Sequence, residues 1–446
     1  MSTAIDSSLC CPACRTPLSA TSSVLSCATC DTDYPPLGRV PFLFPHPQLA
    51  LARWEARAHH ELQVLAQRQA RCEAALKNTN AVSTKTRLSS LATGYAGQIN
   101  CLTELLEALL ANQPSSDHTT YAALKTELLE NTTTLFSYVT NLFRDWCWGD
   151  TENAQALDML QAVARGEPGR TLVLGAGAGR LAWDLAGTTT SEVVAVDINP
   201  FTTLVAAQLC GGSSCELWEF PMAPVAASDV AIKRTLRAPA PRANLHWLLA
   251  DARALPLLPG GFDTVVTPWF TDIVAQSPRQ TAAQINTLLA PQGRWLNFGS
   301  VTFANTDPAE ALLLQELTAL VAEQGFDEPV VFEERGPYLC SPHSRYGRQE
   351  LLHAFAAGKR SKPPGVPVTV APPAQPDWLT AVDLPIPALP RFREQAMATQ
   401  VHAYLMSLID GQRSVTELAQ VLEQQQLMSA REAVPVIQDF LRKMLA

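Results

Sequence analysis

The stretch Thr171-Leu-Val-Leu-Gly175-Ala-Gly177-Ala-Gly179-Arg180 decides how this chain is read. Four apolar or β-branched residues followed at once by glycines at alternate positions describe a buried strand entering a tight turn. Glycine serves where the backbone must turn sharply or let a ligand approach closely. Working outward, strand-like runs recur at Glu192–Val196, Leu245–Leu249, Thr264–Thr267 and Trp295–Phe298, with helical patterns between them. Strands alternating with helices imply βαβ units and a mainly parallel, doubly wound α/β sheet. Two of the runs end in an acid, Glu192-Val-Val-Ala-Val-Asp197 and Leu248-Leu-Ala-Asp251. A ligand site is therefore expected at the carboxyl edge of the sheet, at its switch point.

A nicotinamide-type fingerprint would read GxGxxG, but Arg180 stands where its third glycine belongs. GxGxG after a first strand instead resembles class I S-adenosylmethionine methyltransferases, which have a Rossmann-like sheet. The resemblance implies S-adenosylmethionine as cofactor, bound by Gly175, Gly177 and Gly179. It also implies Asp197 on the two ribose hydroxyls and Asp251 beside the adenine. Asp263, in the fourth strand, reads as a structural turn residue.

Three further passages are similar to the carnosine N-methyltransferase family. They are Phe143-Arg144-Asp145-Trp146, Gly177-Ala-Gly-Arg180-Leu-Ala-Trp183, and Pro268-Trp-Phe-Thr-Asp272 taken with Trp295-Leu-Asn297-Phe-Gly299. This resemblance spans roughly residues 120–360. It implies a helical cap over the sheet, with Asn141 and Arg144 near the methionine end of the cofactor. It also implies transfer to an imidazole nitrogen of a histidine-containing small molecule or peptide. A neutral ring must aim a lone pair at the methyl carbon, and a carboxylate on its other N–H fixes the tautomer and takes up the released proton. Asp272 holds that catalytic and substrate-binding place, with Tyr338 and Tyr346 as pocket-lining candidates. The sequence departs from the family at Ala304, near the place of the family's histidine after the fifth strand, and in Val196-Asp197-Ile-Asn199 after the second. Another nitrogen or oxygen acceptor, or a non-catalytic scaffold binding protein or RNA, are the alternative readings.

Cys11-Pro-Ala-Cys14 and Cys27-Ala-Thr-Cys30 form two CxxC pairs with twelve residues between them. Four thiolates at this spacing suit one tetrahedral Zn²⁺, which replaces the core that ~40 residues cannot build. Such a site is saturated by protein and hence structural, so cofactor affinity is expected to be largely independent of it. The segment also resembles zinc ribbons of proteins that activate tRNA and protein methyltransferases. The other cysteines show no ligand spacing and are expected to be buried thiols.

At 446 residues the chain is long enough for several folding units. With 47% apolar and 17% charged residues it is not disordered, and no run of ~18 uncharged apolar residues offers a membrane span. The start of the chain has no signal-peptide pattern, so a cytoplasmic protein with reduced thiols is expected. A net charge of −9 argues against general nucleic-acid binding. Composition divides the chain into a zinc ribbon (1–46), a helical cap (47–150), the Rossmann-like unit (151–360), a linker (361–392) and a helical, winged-helix-like unit (393–446). In the cap, Leu124, Leu128, Leu129, Leu135 and Val139 recur at helical spacing. Nine prolines fall within 363–390, which suits an extended segment.

In the last unit, Val401, Leu405, Leu408 and Ile409 form a stripe stopped by Asp410-Gly411, and Ser414/Glu417 and Ser429/Glu432 fit capping boxes. Leu408 to Leu422 resembles small domains that present leader peptides to modifying enzymes, which implies a peptide or protein partner. Residues 414–426 hold two glutamates and no Lys or Arg, so DNA binding is disfavoured.

Overall fold

The computed structural model describes residues 8–21, 24–110, 135–164, 166–303, 308–363, 385, 388 and 390–445. Leu124, Leu128, Leu129, Ala304 and most of the proline-rich segment lie outside them. The chain separates into two compact units, residues 1–366 and 367–446.

The glycine-loop strand forms as read, β5 (Thr171–Leu174), and every residue in it is buried. Its neighbours are β6 (Val193–Asp197), β9 (Leu245–Ala250), β10 (Phe262–Pro268), β11 (Leu289–Gly299), β12 (Val330–Tyr338) and β13 (Arg348–Gly358). The sheet order is β12-β13-β11-β10-β5-β6-β9-β4, where β4 is the two-residue strand Phe42–Leu43. All pairings from β11 to β4 are parallel, whereas β13 runs antiparallel to both β11 and β12. This is the expected Rossmann-like sheet, and its antiparallel β13 separates it from the all-parallel dinucleotide sheet. Successive strands step from β5 to β6 and β9 on one side and to β10 and β11 on the other. The switch point therefore falls between β5 and β10.

Alternation within the strands feeds two apolar layers. Val173, Ala195, Leu249 and Val266 face one layer with Leu65, Leu102, Met159, Leu160, Trp183 and Phe201. Leu172, Leu174, Val194, Val196 and Val265 face the other, with Ile285, Leu288, Leu317 and Val321. The first layer is roofed by a helical hairpin, α1 (Pro47–Lys77) and α2 (Val82–Leu105), and by α4 (Asp150–Val163), α5 (Arg180–Ala186) and α6 (Pro200–Cys210). Between α1/α2 and α4 lies α3 (Val139–Phe143), which continues into one π-type turn, Arg144–Trp148. Leu135 is fully buried and Val139 half-buried against this layer. Helices α7 (Pro278–Leu288) and α8 (Leu314–Glu323) cover the second layer.

A two-stranded hairpin, β7 (Ser214–Glu219) with β8 (Ile232–Arg237), is inserted before β9 and stands apart from the main sheet. The sequence reading missed it, although Ser214–Glu219 buries every second residue and that alternation is visible in the residues themselves. Gln98 of α2 accepts the Trp218 N–H (2.7 Å), and Trp148 donates to Glu219 (3.1 Å), which ties the hairpin to the cap.

The cysteine segment carries its own antiparallel sheet, β1 (Ser19–Thr21), β2 (Val24–Cys27) and β3 (Thr32–Tyr34). Its core is shared with the second layer: Leu9, Cys11, Leu25, Cys27 and Tyr34 are all 1% exposed or less.

The second unit consists of α9 (Pro390–Ser407), α10 (Val415–Gln424) and α11 (Ala430–Leu445) around Leu405, Leu418, Ala419, Leu422, Ala433 and Ile437. Ser414 and Glu417 form the expected reciprocal cap. No strand occurs among the described residues of this unit, which are helical and carry no wing. Of the apolar stripe only Leu405 is fully buried, while Ile409 is 50% exposed. Throughout the described residues, no helix is long and apolar enough to cross a membrane.

Candidate functional site

A cleft of about 830 Å³, open mouth included, lies over the carboxyl ends of β5, β6 and β10. Its floor is the glycine loop. Gly175, Gly177 and Gly179 all have left-handed backbones, with φ of 73°, 54° and 91°. They serve different ends. A Cβ on Gly175 would meet Phe270 at 2.7 Å and one on Gly179 would meet Trp247 at 2.6 Å, so both are packing glycines. At Gly177 only the Gly175 carbonyl comes as near as 4.0 Å, so the loop offers bare backbone to the cleft there.

Asp197 ends β6 and lines the same cleft. Its carboxylate accepts the Gly177 N–H (2.8 Å) and the Asn199 N–H (2.8 Å), which locks the second strand's acid to the glycine loop. Burial nevertheless raises its pKa above the ordinary aspartate value, with those backbone donors pulling the other way. Asn199 caps α6 through the Phe201 N–H (2.9 Å) and donates to the Leu135 carbonyl (2.9 Å), joining this edge to the cap.

The opposite wall comes from the π-type turn and the end of β12. Arg144 and Asn141 line it, as does Tyr338. Arg144 is paired with Asp145 (2.7 Å), and that carboxylate holds its pKa up against the effect of burial. Asp145, only 3% exposed, also accepts the Arg180 N–H (3.2 Å) at the start of α5. Trp146 donates to the Ala178 carbonyl (2.9 Å). The Arg144-Asp145-Trp146 segment is thus fastened to the glycine loop at two points. Glu152 in the first turn of α4 accepts the N–H groups of Leu339 (3.0 Å) and Cys340 (2.9 Å), which fixes the chain just beyond Tyr338.

The remaining wall follows β10. Trp269 adopts φ +49°, a left-handed conformation costly for a bulky residue. It is held there by its N–H to the Phe298 carbonyl (2.7 Å), and its ring lies 4.6 Å from that of Tyr338. Gly299 permits this, since its Cβ would come within 3.3 Å of Trp269. Three residues on, Asp272 accepts the Thr302 N–H (3.0 Å). Burial raises its pKa, with Glu350 adding to the effect. Burial also raises the pKa of Tyr338 and of Tyr138.

The structure therefore gathers Asn141, Arg144, Gly175, Gly177, Asp197 and Tyr338 into one cleft, with Asp272 beside the lining residue Ile273. Four candidates stand outside the lining, Asp272 among them. Gly179 packs on Trp247. Asp251 caps the short turn Ala252–Ala254 and pairs with Arg253 (2.6 Å). Tyr346 is 52% exposed. Asp263 is a structural residue as read, accepting the Arg170 N–H (2.8 Å). Tyr138, Glu152 and Trp269 line the cleft without having been singled out; Trp269 stood inside a quoted motif, but a left-handed tryptophan leaves no mark in a sequence.

His353 is 2% exposed, on the far face of the sheet from the cleft. It meets Asn297 (2.9 Å), whose Oδ1 accepts the Thr267 hydroxyl (2.7 Å), and burial lowers its pKa to about 4. Among the remaining thiols, Cys147 is exposed, contrary to the expectation of burial.

Cys11, Cys14, Cys27 and Cys30 bring their sulfurs within 4.8 Å of one another. The separations Cys11–Cys30 (3.9 Å) and Cys14–Cys27 (3.5 Å) suit a tetrahedron with Zn–S of about 2.3 Å, whose edges are roughly 3.8 Å.

No protein-family model matches the chain, and no curated protein does. Solved structures similar to it include the YcgJ protein from Bacillus subtilis, 16% identical, covering 47% of this chain and 99% of that one with a TM-score of 0.33. Another is a SAM-dependent methyltransferase from Thermotoga maritima, 14% identical over 49% of this chain and 99% of that one, TM-score 0.30. A third is phosphoethanolamine N-methyltransferase 2 from Haemonchus contortus in complex with S-adenosyl-L-methionine, 16% identical over 53% and 60%, TM-score 0.32. Identities this low bear on the fold alone, and scores this low add no argument to the strand order described above.

Proposed function

We propose that the chain is an S-adenosylmethionine-dependent N-methyltransferase acting on an imidazole nitrogen of a histidine-containing small molecule or peptide. The observation that carries the reading is Asp197 locked to the open backbone of Gly177, across one cleft from Asn141, Arg144 and Tyr338. A carboxylate beside bare backbone suits a ribose, and a buried arginine suits the carboxylate of an amino acid. The residues present fit the cofactor: Asp197 holds the ribose, Gly177 leaves it room, and Asn141 and Arg144 hold the amino-acid end. When bound, S-adenosylmethionine supplies an electrophilic methyl group on a sulfonium.

Asp272 orients the acceptor by taking its ring N–H, which leaves the other nitrogen's lone pair free, and receives the proton released on transfer. Its raised pKa makes it a better base than an exposed aspartate. Trp269 and Tyr338 offer flat apolar faces for a planar ring. The cysteine cluster supports one structural zinc. The helical unit 390–445 exposes Met397, Val401, Met406 and Ile409, apolar side chains that suit a peptide partner.

The test is transfer of a labelled methyl group to histidine derivatives, histidine-containing peptides and simple amines, with products located by mass spectrometry. Label on an imidazole nitrogen supports the reading. Label only on an alkyl amine or hydroxyl replaces the acceptor, and no binding of S-adenosylhomocysteine at millimolar concentration removes the enzyme reading itself.

A further inference from the structure

The cysteine segment was expected to fold by itself and leave the cofactor site alone. Its contacts differ from that. Cys11 to Cys14 turn tightly, closed by the Arg15 N–H on the Cys11 carbonyl (2.9 Å) and the Cys11 N–H on Thr16 (2.8 Å). Arg15 follows the second cysteine with φ +68°. Its guanidinium donates to the carbonyls of Leu255 and Leu257, the latter at 2.6 Å. The chain just before the turn grips the same stretch: Cys10 N–H donates to Pro256 (3.0 Å), and Leu258 N–H donates to Ser8 (2.9 Å). On the upstream side, Phe42 and Leu43 pair with Leu249 and Ala250, the last residues before Asp251. Residues 251–254 are thus a short bridge held at both ends by the cysteine segment, with one additional tie from Gln284 to Ala252 (2.9 Å).

We propose that Arg15 is a positioning residue for the cofactor: by tying Leu255 and Leu257 to the cysteine turn, it sets where Asp251 stands just beyond the end of β9. The inference rests on reading Asp251 as the adenine-side residue and on the cluster holding zinc. Without Arg15 the carbonyls of Leu255 and Leu257 lose their side-chain donor, and the downstream end of the segment carrying Asp251 is left with the Cys10–Pro256 and Leu258–Ser8 bonds. Cys11, Cys14, Cys27 and Cys30 would hold a zinc ion that braces the turn carrying Arg15, so the turn, Arg15 and Asp251 act in series. Neither Arg15 nor any cysteine need touch the cofactor.

The experiment uses the full zinc-loaded chain and measures S-adenosylhomocysteine binding by calorimetry, together with amide exchange across residues 251–258 and zinc content. Losing two hydrogen bonds to carbonyls should weaken binding about three- to tenfold in Arg15→Ala. Exchange of the Arg253 to Leu258 amides should quicken while zinc stays at one equivalent, and Arg15→Lys, which keeps a donor, should recover part of the affinity. Asp251→Ala should weaken binding further, and the double variant should match Asp251→Ala alone, because Arg15 acts through Asp251. Unchanged affinity in Arg15→Ala, or additive losses in the double variant, overturns the role given to Arg15. Unchanged affinity in Asp251→Ala instead removes Asp251 from the cofactor site and with it the ground of the inference. If Arg15→Ala does not fold, Arg15→Lys and Arg15→Gln carry the same comparison.

Discussion

Replacing Asp197 tests the link between fold and cofactor most directly. In the folded chain its carboxylate accepts two backbone N–H groups, from Gly177 and Asn199, both at 2.8 Å. Asp197→Ala therefore does two things. It removes the proposed ribose acceptors, two charge-assisted bonds of roughly 1.5–3 kcal/mol each, so S-adenosylhomocysteine should bind about a hundredfold or more weakly at 1.4 kcal/mol per decade. It also strands two donors beside the glycine loop, at about 1–3 kcal/mol for each one that water fails to reach, so the melting temperature should fall by several degrees. Asp197→Asn keeps an acceptor for one N–H and turns its NH₂ toward the other. Burial raises the Asp197 pKa, so its ionisation opposes folding. That group's favourable share of stability is full below ~3.9 and lost as pH rises through the raised value. A neutral asparagine removes this opposition, so it should destabilise less than alanine while still weakening binding at least about tenfold. Wild-type affinity should hold near neutrality and weaken as pH falls through the raised pKa, by at most about tenfold per unit, and this dependence should vanish in Asp197→Asn. Calorimetric titration and scanning calorimetry give both quantities. A folded Asp197→Ala protein binding within threefold of wild type would refute the assignment of β6 to the ribose.

Asp272→Asn should leave cofactor affinity unchanged, since the amide oxygen still accepts the Thr302 N–H, and should lower the transfer rate about 10²–10⁴-fold; near-normal turnover would take Asp272 out of the chemistry. The wild-type rate should drop below pH ~6.5, where an imidazole acceptor is protonated, and a rate still rising through pH 9 would indicate an ammonium-type acceptor. Freshly purified protein should contain one zinc per chain, and Cys11→Ser should lose it and melt at a lower temperature, because Cys11 and Tyr34 share the core beneath β5 and β6; metal analysis finding none would count against the cluster. Gly177→Ala adds a methyl whose nearest protein atom is the Gly175 carbonyl oxygen at 4.0 Å but costs about 1–2 kcal/mol at φ +54°; binding should weaken beyond that strain because the methyl enters the cleft, and an unaltered affinity would move the ligand off the loop.

The fold was legible because its determinants are local. Thr171–Leu174 is too apolar and short to be anything but a buried strand, three glycines mark the turn after it, and period-2 and period-3.6 patterns alternate from there to β11. The capping boxes and the CxxC spacing are likewise written within a few neighbouring residues. The site itself was only half legible. Glycine and aspartate at strand ends announce a ligand edge, but lining depends on residues 20 to 190 positions apart that meet only when the sheet closes. Glu152 reaches Leu339 and Cys340 across such a gap, and Trp269 meets Tyr338 because β13 returns antiparallel and brings β12's end over β10. Asp251 follows its strand just as Asp197 ends β6, yet it pairs with Arg253 while Asp197 locks the glycine loop; both were expected to hold the cofactor, at the adenine and at the ribose, and their different partners follow only from packing. The cysteine segment shows the same division. Its four-cysteine cluster follows from the CxxC spacing, whereas its docking on Leu255 and Leu257 depends on where the chain is carried more than two hundred residues later, and long-range register of that kind is set by the buried faces of the assembled sheet.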